Sequence, residues 1–110
     1  MSDEHTVLFA NEAFYQAFAD GDLAAMGAVW SRTASIACIH PGWAALSGRD
    51  AVMESWATIL ASAQRPRIRS YAAKAYLYGD AACVICYEAV DHRGCLVATN
   101  VFVREGAAWK

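Results

Sequence analysis

His40 is the side chain best suited to chemistry at neutral pH, because it ends the short apolar run ASIACIH and is followed at once by Pro41, Gly42 and Trp43. An unperturbed imidazole titrates near pH ~6.5, so a His40 facing a cavity would serve as general base or acid. The alternative is a partly buried histidine that hydrogen-bonds a backbone carbonyl and closes the corner between strand and loop. Asn100 and Glu88 interrupt apolar strand faces, Asn100 among Leu96, Ala98 and Phe102, and Glu88 between Cys86 and Val90. An amide in such surroundings needs a hydrogen-bond partner from the protein or from a ligand. A buried Glu88 would titrate high and could pair with His40 as an acid–base couple. A strand glutamate that faces solvent, or an interface between copies, is the other reading.

Metal and cofactor chemistry finds little support. The pair Cys83 and Cys86 has the spacing of half a zinc knuckle, but residues three apart in a strand point to opposite faces, and no second CxxC or histidine pair completes a site. The four cysteines read as reduced, structural residues of a cytoplasmic protein, and no cofactor is expected. Arg65, Arg67 and Arg69 alternate before a strand, either as a solvated face or as an anion-steering rim. With a net charge of −2 and no block of like charge, the chain has no basic stripe for nucleic acid. The acidic start MSDEHTVLFANEAF is unlike a signal peptide, and no apolar run approaches the ~20 residues of a membrane helix.

The elements that must hold these residues follow from punctuation and periodicity. At 110 residues the chain is expected to form a single domain over residues 1–110; 57 % hydrophobic residues against 18 % charged exclude disorder and favour apolar burial against a partner or around a cavity. A helix is expected over residues 6–20, with Phe14 and Phe18 on its apolar stripe and acidic residues ahead of it suiting its dipole. Gly21 stops that helix and Asp22 re-caps a second one carrying Leu23, Met26 and Trp30 on one face. Residues 34–40 then read as a strand apolar on both faces, hence covered on both sides, and Pro41-Gly42 must end it. A helix over residues 50–63 buries Val52, Trp56, Ile59, Leu60 and Ala63, with Ser47 or Asp50 as its cap. Strands over residues 68–78, 81–91 and 95–104, separated by Gly79-Asp80, His92-Arg93-Gly94 and Glu105-Gly106, form an antiparallel meander. Tyr71, Tyr76, Tyr78 and Tyr87 populate that sheet, most as packing or dimer residues, with a ligand-orienting role open for one or two of them. A last strand opens at residues 107–110; either it is absent and leaves an unpaired edge, or the native chain continues. Helices first and a meander afterwards define an α+β fold with helices on one face of a curved sheet.

Taken in order, Asp20-Gly21-Asp22, Trp30, His40-Pro41-Gly42, Ser47-Gly48-Arg49-Asp50, a helix with Trp56 and a meander resemble the SnoaL-like branch of the nuclear transport factor 2-like superfamily. The resemblance implies a cone, in which three N-terminal helices pack on a strongly curved antiparallel sheet around an apolar pocket, and homodimers through the sheet face. Its members include ketosteroid isomerase, polyketide cyclases and dehydratases, and purely associative domains, so the fold alone does not choose among functions. Compared with the isomerase, His40-Pro41 stands at the general base and Gly48-Arg49 at the opening of the third helix. The oxyanion tyrosine corresponds to Phe14, with Tyr15 beside it pointing elsewhere, and the second oxyanion donor falls near Thr99 and Asn100. A phenyl ring donates no hydrogen bond, and losing such a donor costs roughly 3–4 kcal/mol of transition-state stabilisation, which argues against the isomerase reaction. The pocket wall implied comprises Phe14, Phe18, Trp30, Trp43, Trp56, Glu88, Asn100 and Phe102, with His40 moving a proton next to the carbonyl of a small apolar ligand. For Trp43 the alternative is simple packing on the neighbouring helix, and for Phe14, Phe18, Trp30 and Trp56 simple core. Three functions are therefore open: such an enzyme, a ligand-binding dimer without turnover, and an association module whose interior is filled by side chains.

Overall fold

Ser2 begins the first helix earlier than the apolar stripe suggests. In a computed structural model describing residues 2–91 and 93–110, the Ser2 side chain accepts from the His5 amide, and α1 runs Asp3–Asp20. Asp3 and Glu4 thus lie within the first turn, where the helix dipole favours negative charge. At the other end Gly21 takes a left-handed φ of 64°, and its N–H closes on the Ala17 and Phe18 carbonyls. Asp22 then caps α2 (Leu23–Val29) through the Ala25 amide, with Trp30 just beyond its last turn.

The strand expected over residues 34–40 is much shorter. Only β1 (Ala37–Cys38) forms, paired with β2 (Leu46–Ser47), because the backbone is extended where a partner offers hydrogen bonds and Pro41 turns the chain immediately afterwards. That turn is closed by the Trp43 amide on the His40 carbonyl at 2.9 Å. One side alone is covered: Ile36, Cys38 and His40 face inward, whereas Ala37 and Ile39 are exposed, Ile39 at 71 %. Burial on both sides is corrected accordingly.

The third helix, α3 (Arg49–Ala61), is capped by neither Ser47 nor Asp50. Its N-cap is Gly48, at φ 87°, whose carbonyl accepts the Val52 amide. Val52, Ser55, Trp56 and Leu60 are its buried residues, with Ile59 partly buried and Ala63 exposed beyond the end.

The meander consists of β3 (Ile68–Tyr78), β4 (Ala81–Val90), β5 (Gly94–Glu105) and β6 (Ala108–Trp109), antiparallel in that order. His92, in the turn expected between β4 and β5, lies outside the described residues. A bulge between Tyr71 and Lys74 breaks the β3–β4 register, with Ala72 at φ 53°. Alternation along the ladders then sorts the sheet into two faces. Ala82, Val84, Cys86 and Phe102 point inward and are buried against Val7 and Tyr15 of α1, with Trp109 completing the cluster. A second cluster joins Ala17 and Phe18 of α1, Met26 of α2, and Val52, Trp56 and Leu60 of α3. Phe14 packs against both clusters. The outcome is the α+β cone, three helices on a strongly curled antiparallel sheet. Among the described residues no helix is long and apolar enough to cross a membrane.

Candidate functional site

His40 sits at the end of the β1 segment, enclosed between α3 and its own loop. It is 6 % exposed, with Trp56 at 4.7 Å and Trp43 at 4.9 Å between ring centroids, both edge-on. Its Nε2 lies 2.8 Å from Ser55 Oγ, and Ser55 Oγ lies 2.6 Å from the Val52 carbonyl. A serine has one hydrogen, and the carbonyl can only accept it, so His40 Nε2–H is the donor to Ser55. Cys38 Sγ lies 3.9 Å from Nδ1 and 3.7 Å from Nε2, beside the ring and not in line with either nitrogen. Burial pushes the His40 imidazole below its ordinary value and the Cys38 thiol up to about 11, so the two form a neutral pair and not a thiolate–imidazolium nucleophile.

The enclosure has a pH consequence. Because the folded value is depressed, the unfolded chain takes up a proton near pH ~6.5 that the folded chain refuses. Stability from this residue is fully present above that pH and falls at up to about 1.4 kcal/mol per pH unit below it, until the folded imidazole titrates. Denaturant titrations between pH 8 and roughly pH 5 are expected to show this fall in the parent protein and a flatter profile in His40→Gln. Parallel profiles would mean that the ring titrates freely.

The second polar insertion lies under α1. Tyr15, 8 % exposed, points its hydroxyl into the cone and donates to Glu88 Oε2 at 2.5 Å. Asn100 Nδ2 donates to Asn11 Oδ1 at 2.8 Å and to the Tyr15 oxygen at 3.1 Å, with Cys86 Sγ 3.3 Å from that oxygen. Burial foremost, then the contacts with Cys86 and Glu88, raises the Tyr15 pKa, so the hydroxyl stays protonated and acts as a donor. Asn11 is 1 % exposed, and Glu88 and Asn100 are half-buried.

Tyr15 therefore does not point away, as its place beside Phe14 suggested. Val7, Asn11, Tyr15 and Phe18 share the buried side of α1, a stripe of spacing four, four and three that turns Tyr15 onto the sheet. Asn11 and Ser55 were not singled out from the sequence; Asn11 had a signal, since it lies four residues before Tyr15. The couple of His40 with Glu88 does not form either. His40 has Ser55 and Cys38 as polar neighbours, whereas Glu88 is engaged by Tyr15 from the opposite side of the cone. The aromatic residues are brought together more fully. Phe14 meets Tyr15, Trp30 and Trp56 edge-on at 4.9, 6.3 and 5.6 Å, and Phe18 meets Trp56 at 6.1 Å. Phe102 belongs to the sheet-side core, and Trp43 is 46 % exposed. The indole N–H groups of Trp30, Trp56 and Trp109 are buried without an acceptor among the described residues.

Arg49 has a structural task. Its guanidinium donates to the carbonyls of Gly27 (2.7 Å), Trp30 (3.0 Å) and Ser31 (3.2 Å), tying the end of α2 to the start of α3. Clefts open on the surface among the described residues. One of about 280 Å³ is lined by Trp43, Leu46, Ala51, Glu54, Ser55 and Thr58, and one of about 420 Å³ runs along residues 67–69 and 89–91 at the sheet end.

The sequence matches the SnoaL-like domain family over residues 7–110. Among solved structures it is similar to a candidate dehydratase of the nuclear transport factor 2-like family from Streptomyces avermitilis. That match has 32 % identity and a TM-score of 0.85, covering 98 % of this chain and 89 % of that one. It is also similar to a candidate calcium/calmodulin-dependent protein kinase type II association domain from Thiobacillus denitrificans, at 36 % identity and a TM-score of 0.78, covering 92 % and 85 %. The hub of that kinase from S. rosetta shares the fold at 18 % identity and a TM-score of 0.76, covering 100 % and 92 %. No curated protein matches the sequence.

Proposed function

The chain belongs to the SnoaL-like domain family, and on that premise we propose that it works as a self-associating module, copies packing through the outer face of the β3–β5 sheet. One observation carries the reading. The face turned away from α1 leaves Tyr71, Tyr76, Tyr78, Ile85, Tyr87, Val97 and Val101 exposed by 37–70 %, on neighbouring strands. Its basic residues Arg69 and Lys74 lie over the rings of Tyr71 and Tyr76. Together these side chains present on the order of 800 Å² of mostly apolar surface, about what one partner contributes to a standard interface. A patch of that size on a monomer is itself evidence of a contact site. The interior supports the same reading, since His40 and Tyr15 are both hydrogen-bonded within the protein. So does the similarity to an association domain at 36 % identity.

Sedimentation equilibrium tests it. The parent protein is expected to dimerise, and Tyr87→Glu, in the middle of the face, to raise the dissociation constant by about 30-fold or more. Phe9→Glu, at a 73 % exposed position of α1, serves as the control without effect. A parent protein that stays monomeric at roughly 100 μM would sink the reading.

A second reading rests on the indole N–H groups of Trp30 and Trp56, both beside Phe14 and both without an acceptor. Buried donors of that kind are rare, and a small apolar carbonyl compound entering the cone would supply what they lack. Proton transfer by His40 would then require Trp43 to swing away from the ring. Native mass spectrometry of protein from its own host tests this reading through a retained ligand, and loss of that ligand in Trp56→Phe would tie it to the site.

A further inference from the structure

Beside the buried His40 ring, α3 and the segment that follows β1 enclose the cleft of about 280 Å³. No residue of the β3–β6 meander lines it, so it is separate from the outer sheet face. Two kinds of wall meet there. Trp43, Leu46 and Ala51 are apolar, whereas Glu54, Ser55 and Thr58 are polar. Ala51, Glu54, Ser55 and Thr58 follow the spacing of three, four and seven that puts residues on one face of a helix.

The hydrogens on that helix face are already committed. Ser55 Oγ directs its single hydrogen to the Val52 carbonyl and accepts the His40 Nε2–H at 2.8 Å, which leaves one lone pair. Thr58 Oγ1 donates to the Glu54 carbonyl at 3.3 Å and keeps both lone pairs. The Glu54 carboxylate accepts only, and among the described residues no cationic side chain forms an ion pair with it. All three polar side chains on the α3 side of the cleft are therefore acceptors. The one side-chain N–H in the lining belongs to Trp43, on the opposite wall. An anion or a carbonyl compound finds a carboxylate and lone pairs facing it, whereas a cation with several N–H donors finds partners.

We propose that this cleft binds a primary alkylammonium, its charged head held by Glu54, Ser55 and Thr58 and its carbon chain laid against Trp43, Leu46 and Ala51. An ammonium has three donors and no acceptor, which matches three acceptor side chains, and the bond to a carboxylate is the strongest of them. The volume lies below the usual range of ligand pockets, so a chain of about four carbons fits and a larger molecule does not. A free amine and a lysine side chain of another protein both carry this group. Occupancy is also reported from inside the protein, because the Ser55 oxygen that receives the ammonium already accepts from His40.

NMR titration of nitrogen-15-labelled protein with n-butylammonium chloride, at constant ionic strength, tests the site. The amides of residues 54–58 and the His40 Nε2 resonance are expected to shift together and to saturate, with a dissociation constant of about 1–10 mM. Glu54→Gln, at an exposed helix position, removes the charge and should weaken binding by about tenfold or more. Ala51→Leu fills the cleft and should abolish binding. 1-Butanol, with the same chain and no charge, should bind about tenfold more weakly or worse. Equal binding of butanol, unchanged affinity in Glu54→Gln, or a His40 resonance that stays in place would each overturn the proposal. Shifts that rise linearly without saturation would do the same, as loose attraction to an acidic surface. Nα-acetyl-lysine N-methylamide separates the two sources: tighter binding than butylammonium assigns the site to a partner's lysine, weaker binding to a free amine.

Discussion

Replacing Arg49 by Met is expected to destabilise the fold by about 3 kcal/mol, more than any single charged surface residue should. The guanidinium satisfies three carbonyls that the end of α2 and its following loop leave open, those of Gly27, Trp30 and Ser31. Hydrogen bonds from a charged donor contribute roughly 1.5–3 kcal/mol each, but three on one fork are not additive, because partly freed carbonyls recruit water. Met keeps most of the apolar stem and so isolates the loss of the fork. Arg49→Lys is the sharper comparison. An ammonium is a point charge that cannot span the three acceptors, and it should recover less than half of the loss. Urea denaturation of the three proteins measures this, and full recovery by Lys would show that charge alone, not the fork, matters. Gly27 belongs to the same arrangement, since a Cβ there would meet Arg49 Nη2 at 3.4 Å and Met53 Cε at 3.5 Å.

The Tyr15 hydroxyl is expected to be worth about 2–3 kcal/mol. In Tyr15→Phe the Glu88 carboxylate, half-buried under α1, loses the donor at 2.5 Å, and Asn100 loses one of its two acceptors. A carboxylate deprived of its partner in a poorly solvated site bears its own desolvation cost, and that, more than the lost bond, sets the size of the effect. A double-mutant cycle with Glu88→Leu separates the two contributions. Since Leu removes the stranded charge, the double variant should be less destabilised than the sum of the singles by about 1.5 kcal/mol or more. Additive single effects would mean that Glu88 is hydrated without Tyr15, and that the cluster is a surface feature and not part of the cone.

The roles of Arg49 and Tyr15 were legible in the sequence to very different degrees. Gly48-Arg49 was conspicuous by its position in a resembling family, yet nothing in that motif says that the guanidinium closes the preceding helix. Such a role needs the end of α2 and the start of α3 in space. Tyr15 was passed over in favour of Phe14, because apolar periodicity rewards Phe14 and Phe18, while the face that meets the sheet contains Asn11 and Tyr15 as well. Polar residues weaken a periodic signal when their partners are distant in the chain, as Asn100 and Glu88 are here.

The sequence by itself determined the order of elements, the Gly21–Asp22 break, the bounds of β3 and the turns of the meander, and through them the SnoaL-like family. These features are local: a glycine with positive φ, a capping carboxylate and a period of two act within a few residues. What tertiary structure alone decided was the length of β1 and the enclosure of His40. The run at residues 34–40 is apolar enough for seven residues of strand, but a strand extends only as far as its partner, and β2 offers two residues. The resemblance led to the expectation of a base at His40, but the ring is packed against Trp56 and Trp43 and hydrogen-bonded to Ser55. Whether an imidazole faces a cavity or a neighbouring ring depends on side chains that meet only when α3 docks, and no spacing along the chain encodes that.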